Sequence, residues 1–248
     1  MQTTGKIILI TGGSSGIGFE IAKLLSADNK VIIIGRNKQR LDEAHAKLPN
    51  TIAIQADVTN ENDVNRLVNE INIKYNDLSV LINNAGFAYA YTLGENVDAR
   101  TKAIAEFETN YFSPIRLTEK LLPVLKNQSE SAVVNVTSAV ALTPWIAIPT
   151  YSDSKAAFRS YTQVLRHELK NTSVKVFELL PPLVDTPFSE ELNGKKYGMP
   201  VTDVAAGFLK GFKEDQFEIP VGVAVDLRNG FFAETARIGA FNAMNQLA

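Results

Sequence analysis

Short apolar runs alternate along the chain with longer stretches in which apolar residues recur at helical spacing. Residues 6–10 form an apolar run that reads as a buried strand. Ile17, Ile21, Leu24 and Leu25 then share one helical face. A second run, 31–34, is rich in β-branched residues. Leu41, Ala44 and Leu48 predict the next helix, and 51–54 a third strand. Val64, Leu67, Val68 and Ile71 fall at i, i+3, i+4 and i+7 and predict another helix. Strands are expected at 80–82 and 133–136, with a long helical region over about 103–125 between them. A helix over about 152–169 and strands at 174–180 and 217–223 complete the pattern.

This alternation predicts an α/β chain with a mainly parallel, seven-stranded sheet. Strands covered on both faces should read as continuous apolar runs, and these do. No repeat, charge block or shift in composition divides the 248 residues, so one domain over 1–248 is expected. The least regular stretch, about 182–200, mixes Pro, Gly and polar residues. A long loop in a compact domain is often a lid, and a substrate-binding lid is expected here.

Composition narrows the chemistry. Hydrophobic residues make up 45% of the chain, enough for a sizeable core. A formal net charge of -2 offers nothing to a polyanion, so no nucleic-acid partner is expected. There are no cysteines, which excludes disulfides and thiolate catalysis. The two histidines, His45 and His167, stand far apart among polar neighbours, so no metal site or Ser-His-Asp triad is expected. The polar opening residues do not read as a signal segment. No run approaches the ~20 apolar residues of a spanning helix. The resulting expectation is a cytoplasmic protein with no membrane partner.

Thr11-Gly12-Gly13-Ser14-Ser15-Gly16-Ile17-Gly18 lies between the first strand and the first helix. Glycines there let the backbone turn tightly and approach a pyrophosphate. The helix N-terminus adds unpaired N–H groups and a positive dipole end. Gly12, Ser14, Ser15, Gly16, Ile17 and Gly18 are the expected contacts. A plain tight turn would use the same glycines; the strand before and the helix after are what point to a dinucleotide. The sheet is therefore expected to be Rossmann-type and doubly wound, with helices on both faces. Further along, Tyr151 and Lys155 stand four residues apart on a predicted helix. That spacing puts their Cβ atoms ~6 Å apart on one face. A nearby ammonium would lower the phenol pKa from ~10 toward neutrality and make it a usable acid–base group. A core tyrosine beside a surface lysine would show the same spacing.

Taken in order, these motifs resemble the short-chain dehydrogenase/reductase family over essentially the whole chain. The resemblance assigns Asp57-Val58, after the third strand, to the adenine. It assigns Asn83-Asn84-Ala85-Gly86, after the fourth strand, to sheet stabilisation and the cofactor cleft. Ser138, at the end of the fifth strand, would hold a substrate carbonyl beside Tyr151, and Lys155 would also hold the nicotinamide ribose. Asn110 would sit in a local helix distortion and join a proton relay. Without the resemblance, Ser138 reads rather as a strand-end turn serine and Asn110 as a solvent-facing residue. Pro181, Val184 and Thr186, after the sixth strand, match positions that grip the nicotinamide carboxamide. Pro182 departs from the Pro-Gly usual there and removes a backbone N–H. The departure is shared by the DltE-like oxidoreductases, the subgroup this sequence resembles.

The implied activity is NAD(P)H-dependent carbonyl reduction, and in reverse alcohol oxidation, with Tyr151 as acid and base and no metal. Gly35 ends the second strand where an acidic residue would bind the ribose 2′-hydroxyl of NAD. Arg36 follows, with Lys38 and Arg40 nearby, and a guanidinium suits a 2′-phosphate, so NADP is favoured over NAD. Expected pocket walls are Phe87, Tyr89, Tyr91, Val140, Thr143, Trp145, Ile148 and Phe188. Their apolar character favours a small hydrophobic ketone or aldehyde. Two alternatives share the fold: a 3-oxoacyl carrier-protein reductase and a non-catalytic sensor of nicotinamide redox state. The family also implies a homo-oligomer, a tetramer or a dimer.

Overall fold

The protein's structure, a computed structural model, describes residues 1–230; residues 231–248 of the expected domain lie outside the described residues. The seven strands are β1 (Ile7–Thr11), β2 (Lys30–Gly35), β3 (Thr51–Gln55), β4 (Leu78–Asn83), β5 (Ser131–Val136), β6 (Val174–Leu180) and β7 (Glu218–Pro220). They form one sheet in the order β3-β2-β1-β4-β5-β6-β7, and every pairing is parallel. This is the doubly wound Rossmann-type sheet expected from the sequence.

Alternation along the strands feeds two cores. Ile8, Ile10, Val31 and Ile33 face one side, where they meet α1 (Gly16–Leu25), α2 (Lys38–His45) and, through Val204, Phe208 and Phe212, α8 (Val201–Lys213). Ile7, Leu9, Ile32 and Ile34 face the other, against Leu67 and Ile71 of α3 (Glu61–Lys74) and Leu117 and Leu121 of α5 (Ser113–Lys126). Both faces are buried under helices, so neither could carry a polar alternation. Leu24, counted on the buried face of the first helix, is 41% exposed. No helix among the described residues is long and apolar enough to cross a membrane.

Prolines move several boundaries. The long helical region starts earlier than expected, as α4 (Ala99–Phe107), and passes through a π-helical turn at Glu108–Phe112 before α5. Pro114 explains the turn: it has no N–H for the carbonyl of Asn110, so the ladder widens there. α6 (Pro149–Glu168) opens on Pro149 rather than Ser152, because proline suits the first helical position. β7 is cut short by Pro220 and by the positive φ of Gly222, and α9 (Ala224–Gly230) follows. The 182–200 segment is more regular than its composition predicts. It holds a 3-10 turn (Pro187–Leu192) and α7 (Gly194–Tyr197), and a Val184–Met199 bridge closes its base.

Candidate functional site

The strand order reverses between β1 and β4, and ligands in such sheets bind where the C-terminal strand ends diverge. A cavity of 1620 Å³ opens there. One end is built by the β1–α1 loop. Gly12 and Gly16 hold φ of +65° and +56°, which glycine adopts without strain. A Cβ on Gly12 would come within 3.1 Å of the Ala85 backbone, so the two loops touch here. Thr11 explains the contact: its Oγ1 accepts from the N–H groups of both Asn84 and Ala85, each at 2.9 Å. Asn84 Nδ2 in turn donates to the Thr11 carbonyl at 2.9 Å. The Ser15 side chain makes no cap to α1, and no acid stands in its first turn. The N–H groups of that turn therefore face the cavity uncapped, as an anion would require.

Beyond this loop the cavity is lined by Gly35, Arg36, Asn37 and Arg40 on one side and by Asp57 and Val58 on the other. Lys38 is paired with Asp42 at 2.7 Å, whereas Arg36 and Arg40 make no ion pair among the described residues. Asp57 Oδ1 accepts from the N–H and hydroxyl of Thr59, which fixes the turn after β3. Asn83 Nδ2 donates to Asn135 and Thr118, tying β4 to β5 and α5 below the cavity floor.

The other end gathers polar groups onto an apolar wall. Ser138 follows β5; its Oγ accepts from the Val140 N–H at 3.3 Å and stands near enough to the Tyr151 phenol to favour its ionised form. Tyr151 is 8% exposed and Lys155 4%, one turn apart on α6. Lys155 Nζ donates to the Val136 carbonyl at 2.9 Å and lies 5.6 Å from the Tyr151 ring centroid. Burial drives the phenol pKa well up; the Ser138 hydroxyl opposes this, and the charge of Glu106 adds to it. The lowered phenol pKa expected from spacing alone is therefore not what this pair has. Burial also pushes the Lys155 ammonium down to about 7. The low-dielectric pocket penalises phenolate and ammonium alike.

Asn110 is buried in the π-helical turn. Its Oδ1 accepts from the Phe87 N–H at 3.0 Å, and its Nδ2 donates to the Phe87 carbonyl at 2.9 Å and to Ser154 at 3.1 Å. A Cβ on Gly86 would stand 3.0 Å from Asn110 Oδ1 and 3.6 Å from Lys155 Nζ, so both side chains converge on that glycine. Val140, Ile148 and Tyr151 form a buried cluster with Trp145 and Leu192 packed on it. Phe188 is 43% exposed, with its ring 5.5 Å from that of Tyr151. Pro181, Val184 and Thr186 line the cavity from the β6 side.

Residues 6–196 match the model of the short chain dehydrogenase family. The chain belongs to that family. It is an oxidoreductase. It is 37% identical to the oxidoreductase DltE of Bacillus subtilis over 99% of this chain and 98% of that one. It is 31% identical to the NADP-dependent 3-hydroxy acid dehydrogenase of Schizosaccharomyces pombe over 75% of this chain and 74% of that one. A short chain dehydrogenase from Burkholderia cenocepacia, solved in complex with NADP, superposes with a TM-score of 0.85 at 28% identity, covering 97% of this chain and 98% of that one.

Three residues expected at the site of this dehydrogenase do not line the cavity, among them Asn110, which is buried behind Gly86. Gly18 does not line the cavity. A Cβ there would meet Asn84 Nδ2 at 2.4 Å and the Gly12 carbonyl at 2.6 Å, so this glycine lets the helix pack under the loop. Tyr89 is 39% exposed and also off the cavity. Its N–H is held by Glu106 at 2.8 Å, and its ring packs edge-on against Phe87. Tyr91 lines the cavity instead. Sequence reasoning missed Leu192, Met199 and Leu227 as lining residues, and the buried Glu106 behind the wall. Nothing in the sequence marks Glu106, because Lys102 stands four residues before it, at the spacing of an ordinary exposed helical pair.

Proposed function

We propose that this short-chain dehydrogenase is an NADPH-dependent carbonyl reductase, in reverse an alcohol dehydrogenase, acting on hydrophobic ketones or aldehydes. The observation that carries the reading is the meeting of Ser138, Tyr151 and Lys155 on an apolar wall of the same cavity whose far end is ringed by glycines and an uncapped helix N-terminus. A dinucleotide fits that end: its pyrophosphate would lie over Gly12, Ser14, Ser15, Gly16 and Ile17, and its adenine between Arg36 and Asp57-Val58. Gly35 leaves no carboxylate at the end of β2, and the unpaired Arg36 suits a 2′-phosphate, which favours NADP over NAD.

When bound, the nicotinamide supplies hydride to the carbonyl carbon. The protein's task is to hold the carbonyl oxygen and give it a proton. Burial keeps the Tyr151 phenol protonated, the form a proton donor needs. The Ser138 hydroxyl donates to the same oxygen, so the developing negative charge meets two donors. The proton passes from Tyr151 to that oxygen as the carbon gains hydride, giving the alcohol. In its protonated form Lys155 spends one N–H on Val136, which leaves two donors for ribose hydroxyls, and its charge then compensates the phenolate left behind. Asn110 fixes the Phe87 segment and supports proton resupply toward Lys155. Pro181, Val184 and Thr186 flank the carboxamide. Phe87, Val140, Thr143, Trp145, Ile148 and Phe188 hold the apolar part of the substrate. Exposed Ile104, Phe112 and Val164 give the α4, π-turn and α6 surface the character of a dimer or tetramer contact.

The test is a panel of ketones and aldehydes with NADPH and NADH, followed by loss of reduced-nicotinamide absorbance. Turnover of apolar carbonyls with a lower KM for NADPH is expected. Cofactor binding with no turnover across the panel would overturn the reading.

A further inference from the structure

Glu106 of α4 is fully buried, yet it meets no cation among the described residues. Both of its oxygens accept instead: Oε1 from the Tyr89 N–H at 2.8 Å, and Oε2 from the Thr150 hydroxyl at 2.5 Å. A threonine hydroxyl has one proton, and here Glu106 takes it. Tyr91 Oη lies 2.8 Å from the same Thr150 oxygen, so in this pair the phenol donates and Thr150 accepts. The chain of bonds thus runs from Tyr91 through Thr150 to Glu106, with one direction imposed by the carboxylate. At its open end the Tyr91 oxygen keeps its lone pairs. Tyr91 lines the cavity, and its N–H is pinned to the Ala147 carbonyl at 3.0 Å. Tyr91 and Tyr151 line the same cavity, so the chain ends in the space where the carbonyl would be reduced.

We propose that Tyr91 is a specificity residue that accepts a hydrogen bond from a second polar group of the substrate, so that preferred substrates are apolar ketones carrying a hydroxyl or amide N–H beyond the reacting carbonyl. The assignment rests on the carbonyl-reductase reading of the cavity. Glu106 and Thr150 are positioning residues that set the polarity of Tyr91. A buried carboxylate is a costly group to keep for packing alone, and a site built to accept a hydrogen bond discriminates against ligands that cannot donate one.

The test uses phenyl ketones of increasing chain length that end in hydroxyl, methoxy or methyl. Trp145 is the only tryptophan of the chain and lines the cavity, so its fluorescence reads binding without turnover. In wild type, one hydroxyl-ended ketone should bind about 3–10-fold more tightly than its methoxy and methyl counterparts. Tyr91→Phe should erase that preference. Glu106→Gln gives the sharper signature. Its amide oxygen would keep the Tyr89 N–H, and its NH₂ would donate to Thr150. Thr150 would then donate to Tyr91, and Tyr91 would present O–H to the cavity. The methoxy-ended ketone should now bind better than the methyl-ended one. A merely structural Glu106 would not produce that inversion. The proposal is overturned if no chain length shows the preference, if Tyr91→Phe retains it, or if no member binds. The binding pattern without turnover of any member would leave Tyr91 in place and sink the carbonyl-reductase reading instead.

Discussion

Tyr151 combines a proton to give with a pocket that resists its loss. Tyr151→Phe removes only the phenolic oxygen, near which the Ser138 hydroxyl stands. Turnover should fall by about 10²–10⁴-fold, the usual share of a positioned acid, while cofactor titration by Trp145 fluorescence stays near wild type. Retention of activity within tenfold would remove Tyr151 from the acid's role. At the far end of the cavity, Arg36 has no carboxylate to neutralise it among the described residues. Arg36→Ala should raise the KM for NADPH about 10–150-fold, the worth of a charged hydrogen bond to phosphate, and that for NADH far less. Equal losses in steady-state kinetics would mean that the guanidinium only stacks on adenine. Both residues were legible in the sequence because each sits at a fixed offset from a strand end or within one helical turn of a partner. Glu106 was not. Its partner Thr150 is 44 positions away, and nothing local marks the pair. The sign of the Tyr151 shift was also out of reach, because spacing reports the neighbouring charge and not the depth of burial that outweighs it.

Elements were legible where their chemistry is local. The six longer strands are apolar runs that no partner needs to explain, and all six stand where the pattern places them. Boundaries failed at prolines, since Pro114, Pro149 and Pro220 each act through a missing N–H whose consequence depends on what the rest of the backbone does. The 182–200 segment shows the same limit. Its composition reads as loop, yet Ser189 is buried and its hydroxyl donates to the Val184 carbonyl, while Gly194 packs so closely on Ser189 that no Cβ fits. These contacts anchor the base and leave Phe188 and Tyr197 exposed, at 43% and 65%. If the segment is a lid, its motion belongs to the Pro187–Tyr197 turns and not to the Val184–Met199 hinge. Hydrogen exchange should show amides 188–197 slowing on addition of cofactor and a ketone, with those of Asp185 and Met199 already protected without them. Strong protection of the whole segment that ligands do not alter would mark it as a fixed wall.

At the scale of the molecule, the sheet separates chemistry from anchorage. The groups placed at the cavity, whether from loops, helices or the 182–200 segment, gather at the C-terminal ends of the strands. At the opposite edge, Lys175 of β6 bonds Glu130, just before β5, at 3.1 Å and Asp215, in the turn before β7, at 2.9 Å. Partial burial alone would raise both carboxyl pKa values. For Asp215, Lys175 and the N-terminal ammonium reverse this; for Glu130, the Gln2 N–H, Lys175 and Lys6 do so. Both are thereby held below their ordinary range. A carboxyl pKa that folding lowers contributes stability above its unfolded value, and that contribution is lost as pH falls through the folded one. Lys175 is raised, its carboxylate partners outweighing burial, so its contribution is present below its unfolded value of 10.5 and is lost only in alkali. At neutral pH the network is therefore at full strength. Asp215→Asn is the clean probe, because asparagine tolerates the positive φ of 55° that Asp215 adopts. The group is 40% exposed, so solvent screening limits each pair to about 0.2–1 kcal/mol. A Tm lower by about 1–5 °C at pH 7 is expected, with kcat and KM unchanged. The two melting curves should draw together as pH falls below the ordinary aspartate value of 3.8. A Tm difference that persists undiminished in acid would show that Asp215 acts by packing and not by charge.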